Sequence, residues 1–299
     1  ITYPIETAMA GIPDLQLTRS ISRYGLSQVT IVFEDGTDIY WARQQINQRV
    51  QEVKADLPSD VSPTMSPVST GLGEIYQWVI KAEPNAKKAD GTAYSAMDLR
   101  EIQDWIVRPQ LQRVAGVAEV NSIGGFNKNY VVAPDLNRMQ QLNISLSQLQ
   151  TALQENNENR GAGYIEENGQ QLTVRVPGTL NSLSDIENTT VASPNGNPIR
   201  VADIAQVSID HDLRTGGATY NGEETVLGIA MMMMGENSRT VSKAVDAKIQ
   251  EVQSSLPQGV KIETVYDRTT LVEKAIKTVQ KNLVEGAILV IVILFLFLG

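Results

Sequence analysis

The stretch GTDIYWARQQINQRVQEVKADLP at 36–58 returns 199 positions later as GENSRTVSKAVDAKIQEVQSSLP at 235–257. At that offset Gly36, Ala42, Ile46, Val50, Gln51, Glu52, Val53, Leu57, Pro58 and Val61 fall on Gly235, Val241, Val245, Ile249, Gln250, Glu251, Val252, Leu256, Pro257 and Val260. The matched apolar positions are spaced four, four, three and four residues apart, which keeps them on one face of a helix. Each copy follows an apolar β-type stretch, 29–33 or 226–234, and leads through Leu-Pro into a second such stretch. A strand–helix–strand unit therefore occurs twice, and the fold class is α+β, built from duplicated halves.

Around the first copy, the spacing predicts a short helix at 4–10 closed by Gly11, strands at 15–22 and 29–34, the repeated helix at 38–57 and a strand near 61–68. This unit lacks an opening strand, which is read as lost at the N-terminus. Residues 74–82 predict a strand, 83–95 a loop, and 97–114 a helix with Leu99, Ile102, Trp105, Ile106 and Leu111 as its apolar stripe. A strand at 117–123 then ends at Gly124-Gly125. That is a further strand–helix–strand half, and its partner is the second copy, over 225–266. The material between them, 126–217, is read as an inserted domain. It carries a strand at 130–133, a helix at 146–156, a hairpin through Gly161-Ala162-Gly163 and Asn168-Gly169, and short strands at 173–176 and 199–207.

A chain of 299 residues holds two or three domains, and the repeat favours three. The formal net charge of −9, with Lys and Arg interspersed, excludes a polyanion-binding stripe, so no nucleic-acid partner is expected and a cationic ligand fits the sign. There is no Cys, which removes thiolate chemistry and suits an oxidising compartment. No Ser/His/Asp or Cys/His set supports a nucleophilic enzyme, and Gly124-Gly125 lacks the strand-to-helix context of a nucleotide-binding GxGxxG loop.

Leu271, Ala275, Val279 and Leu283 mark one face of an amphipathic helix that runs into an unbroken apolar stretch at 287–298. Twelve helical residues reach about 18 Å against roughly 30 Å of hydrocarbon. The stretch is read as a truncated transmembrane helix in contact with membrane lipid. Ile1 opens the chain with no initiator Met and no signal peptide, so the expectation is a piece of a larger membrane protein. Lys274, Lys277 and Lys281 precede the apolar stretch; short positive segments usually stay cytoplasmic, but large domains translocate largely regardless of charge.

Several long blocks are recognisable. GLSQVTIVFEDGTDIYWARQ at 25–44, STGLGEIYQW at 69–78, DLREIQDWIVRPQL at 98–111, GENSRTVSKAV at 235–245 and YDRTTLVEKAIKTVQKNLVEGAILVIVILFLFLG at 266–299 closely resemble the cobalt-zinc-cadmium branch of the heavy-metal RND efflux pumps. The likeness covers essentially the whole chain in order. It implies a homotrimeric, proton-driven antiporter of the bacterial inner membrane, working with a periplasmic membrane-fusion adaptor and an outer-membrane channel. This chain would be the first periplasmic loop and the start of transmembrane helix two. Residues 1–72 would form one ferredoxin-like porter subdomain, 73–125 with 217–267 a second, 126–216 a docking subdomain, and 268–299 the membrane helix. No permanently bound cofactor is implied; the divalent cation, Zn, Co or Cd, is cargo. Intramembrane carboxylates couple protons in the family, and this chain contains none. A hairpin around Asn159, Arg160, Gly161, Gly163, Tyr164, Asn168 and Gly169 would reach into a neighbouring protomer.

Glu119, Asn121 and Ile123 share a face of their strand, and by the resemblance that wall lines the substrate cleft. Glu74 is read as opening the neighbouring strand. Carboxylate and amide oxygens suit Zn(II) or Co(II) held loosely, whereas a closed zinc site takes Cys or His. The plainer reading of all three is a solvated strand residue. Met231 to Met234 could bind Cu(I) through thioethers, but strand alternation pairs only Met231 with Met233 or Met232 with Met234, and core filling is the plainer alternative. His211, between Asp210 and Asp212, is a lone imidazole, read as a surface loop residue. The rival readings are a Cu/Ag exporter, a drug exporter, which needs an aromatic cleft that four Phe do not supply, and a soluble ferredoxin-like binding module.

Overall fold

Residues Ile1–Val68 and Ser69–Gly299 form two units, of which the computed structural model describes residues 1–69, 71–167, 170–176, 178–213 and 216–298. In the first unit, α1 (Thr2–Met9) precedes a hairpin of β1 (Leu15–Arg23) and β2 (Leu26–Phe33), followed by α2 (Ile39–Val53). The hairpin register closes at Arg23↔Leu26, and Tyr24 and Gly25 between them both adopt positive φ, as a type I′ turn requires. Ile5, Met9, Ile12, Val53 and Leu57 form the unit's core, with Ile31, Ile46 and Val50 packed against it. The strand expected near 61–68 does not form. Pro63 and Pro67 lack the N–H groups that a ladder needs, and the segment is tied by Arg43, whose Nη1 donates to Ser66 O at 2.7 Å.

The second unit opens with β3 (Glu74–Ala82). A helical stretch follows, made of α3 (Ala96–Ile102), a π-turn at Gln103–Val107, and α4 (Arg108–Leu111); then comes β4 (Val117–Ile123). After an insertion the chain returns as β11 (Ala218–Tyr220), β12 (Glu223–Met232), α9 (Ser238–Gln253) and β13 (Val260–Asp267). These strands make one antiparallel sheet in which β13, β3 and β12 are successive neighbours, with β4 and β11 along the far edge of β12. Each strand–helix–strand half is thus split, with a strand of the other half between its own two.

The sequence repeat is a structural repeat at the helix starts. Asp38 Oδ1 accepts from the backbone N–H of Tyr40 and Trp41 at 2.7 and 2.9 Å, and Asn237 Oδ1 accepts from Arg239 and Thr240 at 3.0 and 3.2 Å. Both caps follow a glycine at positive φ, Gly36 at +93° and Gly235 at +87°, which turns the chain out of the preceding strand. Val241, Val245, Ile249 and Val252 form the buried stripe of α9, each contributing roughly 1.5–3 kcal/mol by leaving water, and they close on Tyr76, Trp78, Ile80, Val120 and Val226 of the sheet.

Between the two halves lie β5 (Lys128–Pro134), α5 (Leu136–Gln141), α6 (Leu146–Glu155), β6 (Arg160–Glu167), β7 (Gln170–Val176), α7 (Leu183–Glu187), β8 (Thr190–Ala192), β9 (Ile199–Arg200), α8 (Val201–Ile204) and β10 (Ala205–His211). This stretch has its own core of Met139, Ile144, Leu149, Ile186, Ile199, Val201 and Ile204. The continuous strand expected at 199–207 is interrupted by α8, because the Asp203 carboxylate accepts from the Arg200 backbone N–H at 2.7 Å and starts a helical turn that buries Val201 and Ile204. The last element, α10 (Arg268–Leu298), follows β13 without a loop.

Candidate functional site

Two β-bulges face each other across β12. On β3 the pairing steps from Ala230↔Tyr76 to Met231↔Glu74, so Ile75 is the extra residue; on β4 it steps from Met231↔Glu119 to Met232↔Val117, so Ala118 is extra. A bulge re-aims the side chains beyond it. Without the first, Glu74 would share the helix-packed face with Tyr76 and Trp78. With it, Ile75 enters the core and Glu74 joins Gln77, whose Nε2 donates to Glu74 Oε2 at 3.3 Å.

Glu119 and Asn121 lie on that same face, opposite the helices, Asn121 Nδ2 donating to Glu119 Oε1 at 3.1 Å. The registers place Met231 between Glu74 and Glu119, and Ile229 between Gln77 and Asn121. Glu74 does not open the strand beside Glu119: β12 separates them, and their backbones are two strand spacings, roughly 10 Å, apart. Among the described residues no group of three or more His, Asp or Glu is arranged to hold a metal ion. Glu74 is exposed and Glu119 and Asn121 are half-buried, so the face offers separate oxygen donors beside water rather than a closed cage. Such donors suit hard or borderline cations that must exchange.

The methionines divide. Met231, 7% exposed, sits in the row between the carboxylates, while Met232 packs against the core and ends β12.

Behind this face runs a polar chain that sequence reasoning missed. The buried Trp78 Nε1 donates to Gln103 Oε1 at 3.0 Å, and Gln103 Nε2 donates to Ser122 Oγ at 3.3 Å. Ser122 Oγ donates to Asp104 Oδ1 at 2.6 Å; Arg100 in turn reaches Asp104 Oδ2 at 2.6 Å and Gly124 O at 2.7 Å. The π-turn brings consecutive residues, Gln103 and Asp104, onto the sheet together. Strand parity gave Ser122 its side; nothing in the local pattern marked the π-turn. On the same helix-packed face Tyr76 donates its hydroxyl to Asp246 at 2.6 Å and meets Thr264 Oγ1 at 2.9 Å. Burial, reinforced by the Asp246 carboxylate, pushes the Tyr76 ionisation above the ordinary tyrosine range.

His211 ends β10 rather than lying in a loop. Its ring stacks on Phe126 with centroids 4.4 Å apart, joining the two segments that connect the insertion to the sheet, and its Nδ1 lies 2.9 Å from Asp212 O. In the insertion, β6 and β7 pair from Arg160↔Val176 to Glu167↔Gln170, with an irregularity between Gly161 and Tyr164. Asn159 Oδ1 accepts from Gly178 N at 3.1 Å at the base, and Tyr164 and Ile165 are exposed. Asn168 and Gly169 lie outside the described residues.

Along α10, 30 residues, Arg268–Phe297, have a window of mean hydropathy 2.0 with none of it buried. That helix is long and apolar enough to cross a membrane.

The sequence profile of the AcrB/AcrD/AcrF family matches residues 1–299. The chain belongs to this family. It is similar to the cation efflux system protein CzcA of an Alcaligenes species, 61% identical over 299 residues, covering 100% of this chain and 28% of that protein. The cobalt-zinc-cadmium resistance protein CzcA of Cupriavidus metallidurans is also 61% identical, over 298 residues, with the same coverage. Among solved structures, a heavy metal efflux pump aligns at a TM-score of 0.88 and 33% identity, over 100% of this chain and 29% of that one. The chain thus spans little more than a quarter of the length of these family members.

Proposed function

We propose that this chain is the periplasmic porter and docking part, with the start of transmembrane helix two, of a proton-driven exporter of divalent heavy-metal cations, Zn, Co or Cd. It acts in a transporter, not an enzyme. The observation that carries the reading is the 61% identity, over 298 residues, to a protein named for cobalt-zinc-cadmium resistance. The sheet order β13, β3, β12, β4 supports ferredoxin-like porter halves, and the separately packed stretch between β4 and β11 supports an inserted docking subdomain. The bare apolar length of α10 supports a membrane location, and in this reading the membrane is the bacterial inner one with the remainder of the chain periplasmic.

In this reading the assembly is a homotrimer that engages a membrane-fusion adaptor and an outer-membrane channel. The hairpin of β6 and β7, with its exposed Tyr164, contacts the neighbouring protomer. Glu74, Glu119 and Asn121 serve as oxygen way-stations for the cation, which is cargo rather than cofactor. Met232 packs against the core, which supports core filling over a thioether role for that methionine, and carboxylate and amide oxygens suit Zn, Co or Cd better than Cu or Ag.

The full-length protein expressed with its adaptor and channel in a metal-sensitive bacterial host tests this. Restored growth on zinc, cobalt or cadmium supports it. Restored growth only on copper, silver or organic drugs overturns the metal assignment.

A further inference from the structure

The chain is acidic as a whole, yet residues 268–285 at the foot of the apolar helix carry four basic side chains, Arg268, Lys274, Lys277 and Lys281, against two carboxylates, Glu273 and Glu285. The carboxylates are not spread evenly over these cations. Glu273 turns to α9, where Arg239 and Lys243 lie 3.4 Å away. Glu285 meets Lys281 at 3.7 Å, both largely exposed, a contact worth little in water. Among the described residues, Lys274 and Lys277 make no ion pair.

At 100° per residue, Lys274, Lys277 and Lys281 fall within about 60° of one another on α10, on the side away from Leu271, Ala275, Val279 and Leu283. The helix is unbroken from Arg268 to Leu298, so height above the apolar stretch follows from rise alone. Lys281, Lys277 and Lys274 lie about 9, 15 and 20 Å before Ala287. The headgroup layer is about 5–8 Å deep, long lysine stems lean toward it, and an anionic surface field reaches roughly another 8 Å. Leaning stems bring the Lys281 ammonium to headgroup level and Lys277 into the field above it, with Lys274 at that field's outer edge.

We propose that the Lys274/Lys277/Lys281 stripe is a docking site for anionic phospholipid headgroups where α10 leaves the bilayer, a phosphate pairing with the Lys281 ammonium and the charge of Lys277 and Lys274 above it drawing further anionic lipid to the site. A neutral lipid cannot supply this: its headgroup carries a compensating cation of its own. Each Lys near an anionic membrane surface is attracted to it by about 1 kcal/mol. The inference rests on α10 entering a bilayer, as proposed above.

The test uses the full-length protein in nanodiscs of mixed phosphatidylcholine and phosphatidylglycerol, with native mass spectrometry of the lipids that remain bound. The expected result is at least about a tenfold enrichment of phosphatidylglycerol over its bulk fraction, lost in K274Q/K277Q/K281Q, kept in K274R/K277R/K281R, and weakened in 0.5 M salt, roughly three times physiological ionic strength. Equal retention of the two lipids by wild type, or unchanged enrichment in the glutamine variant, overturns the proposal. Failure of the protein to enter nanodiscs at all would instead sink the membrane reading of α10, so the two failures are distinguishable.

Discussion

The indole of Trp78 lies directly over Gly228, its partner in the β3–β12 register, so closely that a Cβ at 228 would overlap indole ring atoms. Trp78 is fully buried and its N–H is held by Gln103, so it has no room to retreat. Gly228→Ala is expected to destabilise the fold by roughly 1–3 kcal/mol, read as a lower denaturation midpoint with an unchanged slope.

Gln103 is the only described partner of the Trp78 N–H, and both groups are buried. Gln103→Leu fills similar space and leaves that donor unpaired. A loss of about 1–3 kcal/mol is expected by chemical denaturation. Ser122→Ala removes two bonds nearer the surface end of the same chain, where water can replace them, and should cost less. Equal or smaller loss for Gln103→Leu would show that the network does not organise the core.

Tyr76 gives an alkaline signature. Its ionisation is raised in the folded state, so the native protein keeps a proton that the unfolded chain releases near the usual value of 10.0. Stability from this group is therefore complete below that pH and declines as pH rises above it. Tyr76→Phe should lose about 1 kcal/mol at neutral pH and show a shallower decline above pH 10, measured by denaturant titrations at stepped pH. Parallel wild-type and variant curves through the alkaline range would contradict this.

Much of the frame was legible because it rests on periodicity. The helix stripe matched between Ala42–Leu57 and Val241–Leu256 is the stripe that packs in each unit, and the strands Glu74–Ala82 and Val117–Ile123 were read with their observed bounds. What was not legible depends on long-range register. Nothing local indicates that β12 separates Glu74 from Glu119, or that Ile75 and Ala118 are bulged, since both follow from strands more than a hundred residues apart meeting out of phase. The strand expected near 61–68 failed for a local reason that was visible, the Pro63 and Pro67 that cannot donate to a ladder.

Glu74 is reached by a variant that keeps shape and removes charge. On the proposed exporter reading, Glu74→Gln in the full-length protein should reduce zinc or cobalt tolerance with normal expression and trimer formation, and Glu119→Gln should act in the same direction. Wild-type tolerance to zinc, cobalt and cadmium in both variants would return these residues to ordinary solvated strand positions.

The hairpin reading predicts that replacing residues 161–169 with a short linker weakens trimers of the full-length protein, while the stretch around Met139, Leu149 and Ile204 remains folded. Native mass spectrometry reads this directly. An undiminished trimer peak would remove the hairpin from the oligomer contact.

The most direct measurement of the central claim is cation flux through the full-length protein in proteoliposomes under an imposed pH gradient. The account predicts that zinc, cobalt or cadmium moves against the proton flow, that movement stops when the gradient is collapsed, and that Glu74→Gln slows it. Correctly folded trimers that carry none of these three cations with the gradient in place would contradict it.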